Sequence, residues 1–152
     1  MKAIVRVLAA TIIAANTALV AAEEGAIRVH DAWVREAPPG AKALAAYMEI
    51  ENIGDRVQTL RGASSPAFGQ VMLHGTRNQD GLTQMIHLEQ VEIAPNSSAI
   101  FQPGGNHFML MGPNMPLSAG DQVAFDLDFA DGLRVSVSAE VRKVVAGDAM
   151  HH

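Results

Sequence analysis

The feature that most limits the fold of this chain is a series of short apolar runs that alternate with polar residues and end at turn residues. In the clearest pair, residues 123–129 and 133–139, every second residue is apolar, and Asp131-Gly132 between them is typical of a two-residue hairpin turn. Asp80-Gly81 is a second such turn. No segment after residue 22 has a sustained apolar period of 3.6 residues, so the pattern predicts strands and not helices.

Nine runs of this kind follow one another along the chain. They cover residues 27–34, 45–50, 57–60, 68–74, 85–91, 99–101, 107–111, 123–129 and 133–139. About eight or nine short strands at this spacing predict an all-β domain, an antiparallel Greek-key sandwich or barrel. We expect Met48 in its core and Trp33 in or near the core.

The first 22 residues have the composition of an export signal. Lys2 and Arg6 precede an apolar stretch over residues 7–22 that polar residues interrupt, whereas a membrane span needs about 20 predominantly apolar residues. The small residues Ala21 and Ala22 suit signal cleavage. We therefore expect a signal peptide over residues 1–22, a folded domain over residues 23–145 and a periplasmic protein without stable membrane insertion. An uncleaved membrane anchor is the alternative.

The composition excludes several classes of function. The sequence has no cysteine, which excludes disulfides, thiolate zinc sites, iron–sulfur clusters, thiol catalysis and blue-copper centres with a Cys ligand. A net charge of −5 gives no electrostatic footprint for nucleic acid. No Ser/His/Asp order, phosphate loop or carboxylate pair indicates an enzyme, and we expect Asp126, Asp128 and Asp131 to form a solvated face. Eight Met and six His remain as a surplus of soft and borderline metal ligands.

Four of these residues have a spacing that suits one metal site. His74 and Met85 lie in runs that the Asp80-Gly81 turn brings side by side, which predicts that their side chains are close. His107 and Met109 are two residues apart in one strand and therefore project from the same face. Imidazole with thioether is a ligand set suited to Cu(I), whereas Mg²⁺ and Ca²⁺ prefer oxygen. The sequence therefore predicts a Cu(I) site.

The same spacing resembles the signature of the PCu(A)C family of periplasmic copper chaperones. That signature is His, ten residues, Met, twenty-one residues, His, one residue, Met, and it is present at His74, Met85, His107 and Met109. The resemblance extends to the segments DAWVREAPPGAKALAAYMEIENIGD, PGGNHFMLMG and PLSAGDQVAFDLDFADG. It implies a cupredoxin-like β-barrel that binds one Cu(I) without being an enzyme. It also implies a copper-receiving partner, either a cytochrome c oxidase subunit or another oxidase copper-assembly factor.

The other histidines and methionines receive less specific interpretations. Met72 and Met111 share strand faces with the predicted ligands, and we expect them to pack around the site. His87 shares a strand face with Met85 and is predicted to lie near the site, although the family signature does not include it. We expect His30 and Met115 on the surface, without a role in metal binding.

The C-terminal residues and the function class both leave alternatives open. Residues 146–152 form a short tail in which Met150, His151 and His152 either add a weaker Cu(II) site or are a disordered end. The alternatives to copper delivery are copper storage or resistance, copper redox or electron transfer, and a metal-free extracellular β-sandwich that binds a protein or glycan. The missing cysteine argues against the redox alternative.

Overall fold

The computed structural model describes residues 25–144. The predicted signal peptide over residues 1–22 and the tail over residues 146–152 lie outside this range, and they stay predictions. Residues 25–144 form ten β-strands and no α-helix, hence none with the length and apolarity that a membrane span needs. The predicted all-β fold is confirmed.

The ten strands are numbered along the chain. They are β1 (Ile27–Arg35), β2 (Ala43–Asn52), β3 (Gln58–Ser64), β4 (Phe68–Gln79), β5 (Leu82–His87), β6 (Val91–Ile93), β7 (Ser97–Phe101), β8 (His107–Pro113), β9 (Gln122–Phe129) and β10 (Arg134–Arg142). The number exceeds the prediction because the run over residues 85–91 divides into two strands. After β5, the backbone N–H of Leu88 still donates to Leu73 O (2.9 Å), but β6 pairs with β3 and not with β4.

All the strands belong to one sheet. Its order is β5-β4-β8-β2-β1-β10-β9-β3-β6, and β7 pairs with β2 beside β8. The pairs are antiparallel as predicted except for β1 and β10, which are parallel, with Trp33 opposite Glu140. The sequence could not indicate this exception, because alternation of apolar and polar residues sets which face is buried and not the direction of the neighbouring strand.

Both predicted hairpin turns are present. Asp80 and Gly81 join β4 to β5 with φ of 53° and 77°, and a type I′ turn requires such positive values at both positions. The β9–β10 turn is one residue longer than predicted. Phe129 N donates to Leu133 O (2.9 Å), so three residues lie between them, with Gly132 at φ 88°. A left-handed glycine at the end of a three-residue loop is a common hairpin solution.

The core lies on the inner face of the sheet and follows the alternation in the sequence. Its largest fully buried apolar side chains are Val34, Ile50, Leu60, Ile93, Phe108, Leu110, Val123, Phe125, Leu127 and Val141. Met48 is also buried, at 2% exposure, as predicted. Trp33 is half-buried and packs against Tyr47 with ring centroids 4.7 Å apart, so it lies at the edge of the fold's apolar interior.

A buried amide joins the end of β2 to β6. Asn52 is fully buried, and its Nδ2 donates to Arg56 O (2.7 Å) and to Ile93 O (2.9 Å). Its Oδ1 accepts from the backbone N–H of Gly54 (3.0 Å). These three bonds satisfy the side chain and fix the turn that follows β2, in agreement with the rule that buried polar groups are paired.

We expect Asn52→Leu to lower the free energy of unfolding by about 2–4 kcal/mol, because the carbonyls of Arg56 and Ile93 would each lose a donor. Urea denaturation followed by circular dichroism measures this loss. Asn114→Leu is the control, because Asn114 is exposed and its side chain donates a single hydrogen bond, to Pro66 O (2.7 Å). Equal destabilisation by the two substitutions would contradict the role given to Asn52.

Candidate metal centre

The pairing of β4 with β8 brings two of the predicted ligands together. The two strands are antiparallel, with His74 opposite His107 and Met72 opposite Met109. Residues directly opposite in an antiparallel pair project from the same face. Leu73 and Phe108 point to the other face and are buried in the core. The predicted shared face of His107 and Met109 is therefore present, and His74 lies on it too.

Strand β5 places Met85 differently from the sequence-based expectation. The hairpin register sets Thr76 opposite Met85 and His74 opposite His87. Met85 therefore lies on the same face as His74 but diagonal to it, and it is 57% exposed. The side chain directly beside His74 on this strand is His87, with ring centroids 5.7 Å apart and ring planes at 88°.

A loop that leaves the sheet positions His107. Strand β7 pairs with one edge of β2 as far as Phe101, which lies opposite Met48. Strand β8 then pairs with the same edge of β2, with Phe108 opposite Ala46. Residues 102–106 between the two strands form a loop, which the hydrogen bond from Gln102 N to Asn106 O (2.8 Å) closes. Gly104 has φ of 82° in this loop, a conformation that residues with a Cβ rarely adopt.

One backbone carbonyl in this loop sets the orientation of a predicted ligand. Gly105 O accepts hydrogen bonds from His107 Nδ1 (3.0 Å) and from Thr76 Oγ1 (3.2 Å). Because a carbonyl only accepts, Nδ1 of His107 carries the proton and Nε2 carries the lone pair. Such a bond to the second ring nitrogen is the usual way in which proteins orient a metal-binding histidine.

His74 lies between two other imidazoles. Its ring centroid is 5.7 Å from that of His107 and 5.7 Å from that of His87. Its Nδ1 is buried and has no hydrogen-bond partner. Burial lowers the pKa of His74 below its ordinary value of 6.5, and the neighbouring imidazoles of His107 and His87 lower it further. The ring is therefore neutral at pH 7, which is the form that binds metal.

Three of the four predicted ligands line one open cleft. This cleft has a volume of about 440 Å³ and is bordered by Met85, His107 and Met109, while the His74 ring lies beside His107. Small side chains make room for it, since Ala45 lies opposite Met109 in the β2–β8 pair. Between residues 25 and 144, no three His, Asp or Glu side chains form a metal site by themselves.

The remaining histidine and methionine predictions can be placed as well. Met72 and Met111 are half-buried on the same face as Met109, next to the site. His30 is exposed and forms a bond to Glu51 Oε2 (2.9 Å), and Met115 is 58% exposed. These positions agree with packing beside the site for the first two residues and with a surface position for the last two.

The predicted solvated face of carboxylates lies on the outer side of the β9–β10 hairpin. Asp126 accepts from Ser136 Oγ (2.6 Å), and Asp128 forms an ion pair with Arg134 Nε (2.7 Å). Asp131 accepts from the backbone N–H of Leu133 (3.0 Å) in the turn. Their bonds are with neighbouring residues of the hairpin.

Two features of the site were missed at the level of sequence. The Gly105 carbonyl accepts from His107 and from Thr76, and nothing in the spacing of these residues signals those contacts. The pairing of His74 with His87 could have been found. In a two-residue hairpin around Asp80-Gly81, Gln79 lies opposite Leu82, and counting outwards from that pair gives His74 opposite His87.

Comparison with known proteins gives a family match over most of the chain. The family described as "Putative lipoprotein LpqE-like" matches residues 27–141. The protein "Putative lipoprotein Lxx21020" of Leifsonia xyli subsp. xyli is 33% identical over 117 residues. That alignment covers 76% of this chain and 69% of the Leifsonia protein.

Two solved structures have a similar fold. The solution structure of CuI-DR1885 from Deinococcus radiodurans has a TM-score of 0.64 and 33% identity, and the match covers 78% of this chain and 79% of that one. The copper-bound PCuAC domain from PmoF2 has a TM-score of 0.67, covers 79% of this chain and 95% of that one, and at 24% identity supports the fold alone.

These matches span the ten-stranded domain and confirm the resemblance drawn from the sequence. The fold is the cupredoxin-like β-fold of the PCu(A)C domains. The chain belongs to the LpqE-like family.

Proposed function

We propose that this chain is a copper chaperone that holds one Cu(I) through His74, Met85, His107 and Met109 and passes it on by ligand exchange. The observation that carries the proposal is that these four side chains share one face of β4, β5 and β8, where three of them line one cleft and His74 lies beside His107. Copper is cargo in this function and not a resident cofactor.

The chemistry of the donor set fits Cu(I). His107 presents an Nε2 lone pair, and His74 has a buried nitrogen with no other partner. Thioethers and imidazoles are neutral, and soft ligands of this type favour Cu(I) over the harder divalent ions. The 33% identity to DR1885, whose structure was solved in the CuI form, supports the same oxidation state. Bound copper would keep its single positive charge.

The exposure of the proposed ligands suggests an order of exchange. Met85 is 57% exposed, Met109 is half-buried and His107 is only 9% exposed. A ligand from a partner protein would reach the metal on the Met85 side. A partner could not reach the buried His107 ring directly, so the bond to this ring would break before the ion leaves the cleft. This chain changes no covalent bond of a substrate in such a transfer, so its proposed role is not enzymatic.

The setting that we propose is the periplasm, after removal of a signal peptide over residues 1–22. The lipoprotein description of the family supports export. The proposed recipient is a cytochrome c oxidase subunit or another oxidase copper-assembly factor, as the PCu(A)C resemblance implies. Copper storage would use the same ligands, but the exposed Met85 favours delivery. Transfer of Cu(I) to an apo oxidase copper domain would indicate delivery, and retention by this chain would indicate storage.

We expect anaerobic titration of Cu(I) against a chromophoric competitor to give one copper per chain. Met85→Ala and Met109→Ala should each abolish this stoichiometric uptake, because each removes one of the two soft donors. Met115→Ala is the matched control, since Met115 is 58% exposed, close to the 57% of Met85, but lies outside the cleft. Unchanged uptake in the first two variants would leave a metal-free β-sandwich as the better description.

We expect Cu(I) affinity to be steady from pH 8 to about pH 6.5 and to fall in more acidic solution, where protons compete for the imidazoles. The folded-state pKa of His74 is lowered, so its own proton competition begins below the ordinary range. Thioethers do not titrate, so residual binding should persist near about pH 5. Competition titrations across this range measure the profile. An affinity that is flat down to about pH 5 would contradict ligation by two histidines.

A further inference from the structure

His87 is an imidazole beside the proposed copper site to which the four-ligand signature gives no role. It lies directly opposite His74 in the β4–β5 hairpin and is exposed to solvent. Met85 precedes it by two residues on the same strand, so both side chains project from the face that carries the site. A second imidazole–thioether pair therefore lies on the solvent side of His74.

The spacing of the rings suits shared metal binding on either side of His74. A ring nitrogen bound at about 2.0–2.1 Å from a metal places the centroids of two such rings roughly 5–6 Å apart. The His74–His107 and His74–His87 centroid distances are both 5.7 Å. Both distances therefore fall in the range for two rings on one ion, and His74 is common to the two pairs.

The two pairs differ in how far solvent reaches them. The inner pair consists of His74 and His107, and His107 is 9% exposed and fixed by the Gly105 carbonyl. The outer pair consists of His74 and His87. The His87 ring forms no hydrogen bond with residues 25–144 and lies next to Met85, which is 57% exposed. A partner protein can reach an ion held by the outer pair more readily than one held by the inner pair.

We propose that His87 is the handover ligand, a residue that binds Cu(I) transiently while the ion enters or leaves the inner site. This inference rests on the proposed function. In the exchange, one Cu–N bond forms at His87 as the Cu–N bond at His107 and the Cu–S bond at Met109 break, and His74 and Met85 stay bound. Copper remains Cu(I) and no electron is transferred. The partner's ligands then replace His74, Met85 and His87 at the exposed position.

A ligand that acts only in the intermediate has a distinctive kinetic signature. It lowers the barrier for loading and for release equally, so its removal leaves the equilibrium affinity unchanged. We expect His87→Gln to slow both rates by about tenfold or more while Kd for Cu(I) stays within about threefold of the unsubstituted protein. Stopped-flow mixing under anaerobic conditions measures release into excess bathocuproine disulfonate and loading from a Cu(I)–acetonitrile complex.

Two further variants separate ligation from a structural effect. His87→Met keeps a soft copper ligand at this position and should restore much of the rate, which a purely steric role of the imidazole would not. His30→Gln should behave as the unsubstituted protein, because His30 is also an exposed strand histidine but is bonded to Glu51 away from the site.

Three results would overturn the inference. They are unchanged rates in His87→Gln, a weaker Kd with faster release in that variant, and failure of His87→Met to restore the rates. These results are distinguishable from failure of the proposed function, in which the unsubstituted protein would not bind one Cu(I) at equilibrium in the first place.

Discussion

The register between β4 and β8 is the constraint on which the rest of the site depends. It sets His74 opposite His107 and Met72 opposite Met109, and it sends Leu73 and Phe108 into the core. A slip by one residue would exchange the two faces of β8. The register that buries Phe108 therefore also places the proposed ligands on the opposite face. The apolar core therefore holds the proposed ligands in place.

The local features of the fold could be predicted from sequence, and the long-range ones could not. Alternation located nearly every strand, and Asp80-Gly81 located the hairpin beside the site. Alternation does not specify direction, so the parallel pairing of β1 with β10 was missed. The division of the run over residues 85–91 depends on β6 pairing with β3, a contact between segments far apart in the chain.

The candidate ligands show the same division. The spacing of His107 and Met109 was enough to place both on one face, because a strand has a period of two residues. The neighbour of His74 in the hairpin was expected to be Met85 and is His87, because the prediction used the turn without counting the register. The bonds that the Gly105 carbonyl accepts depend on the folded path of residues 102–107, which the sequence pattern does not reveal.

The chemistry of the proposed ligands and their exposure to solvent both determine how the site would behave in an oxidising compartment. Neutral thioethers cannot form disulfides, and the sequence has no cysteine, so a site for soft metal built on methionine suits an oxidising compartment. The same exposure that lets a partner reach Met85 leaves its sulfur open to oxidation to the sulfoxide, which would remove the thioether donor. The exposed Met85 side of the proposed site, where a recipient would take the copper, is thus also the part most open to oxidation.

The most direct test of this account is X-ray absorption spectroscopy at the copper edge on the protein loaded with one Cu(I). The account predicts a first coordination shell that contains both nitrogen and sulfur. A shell of nitrogen and oxygen alone would contradict it.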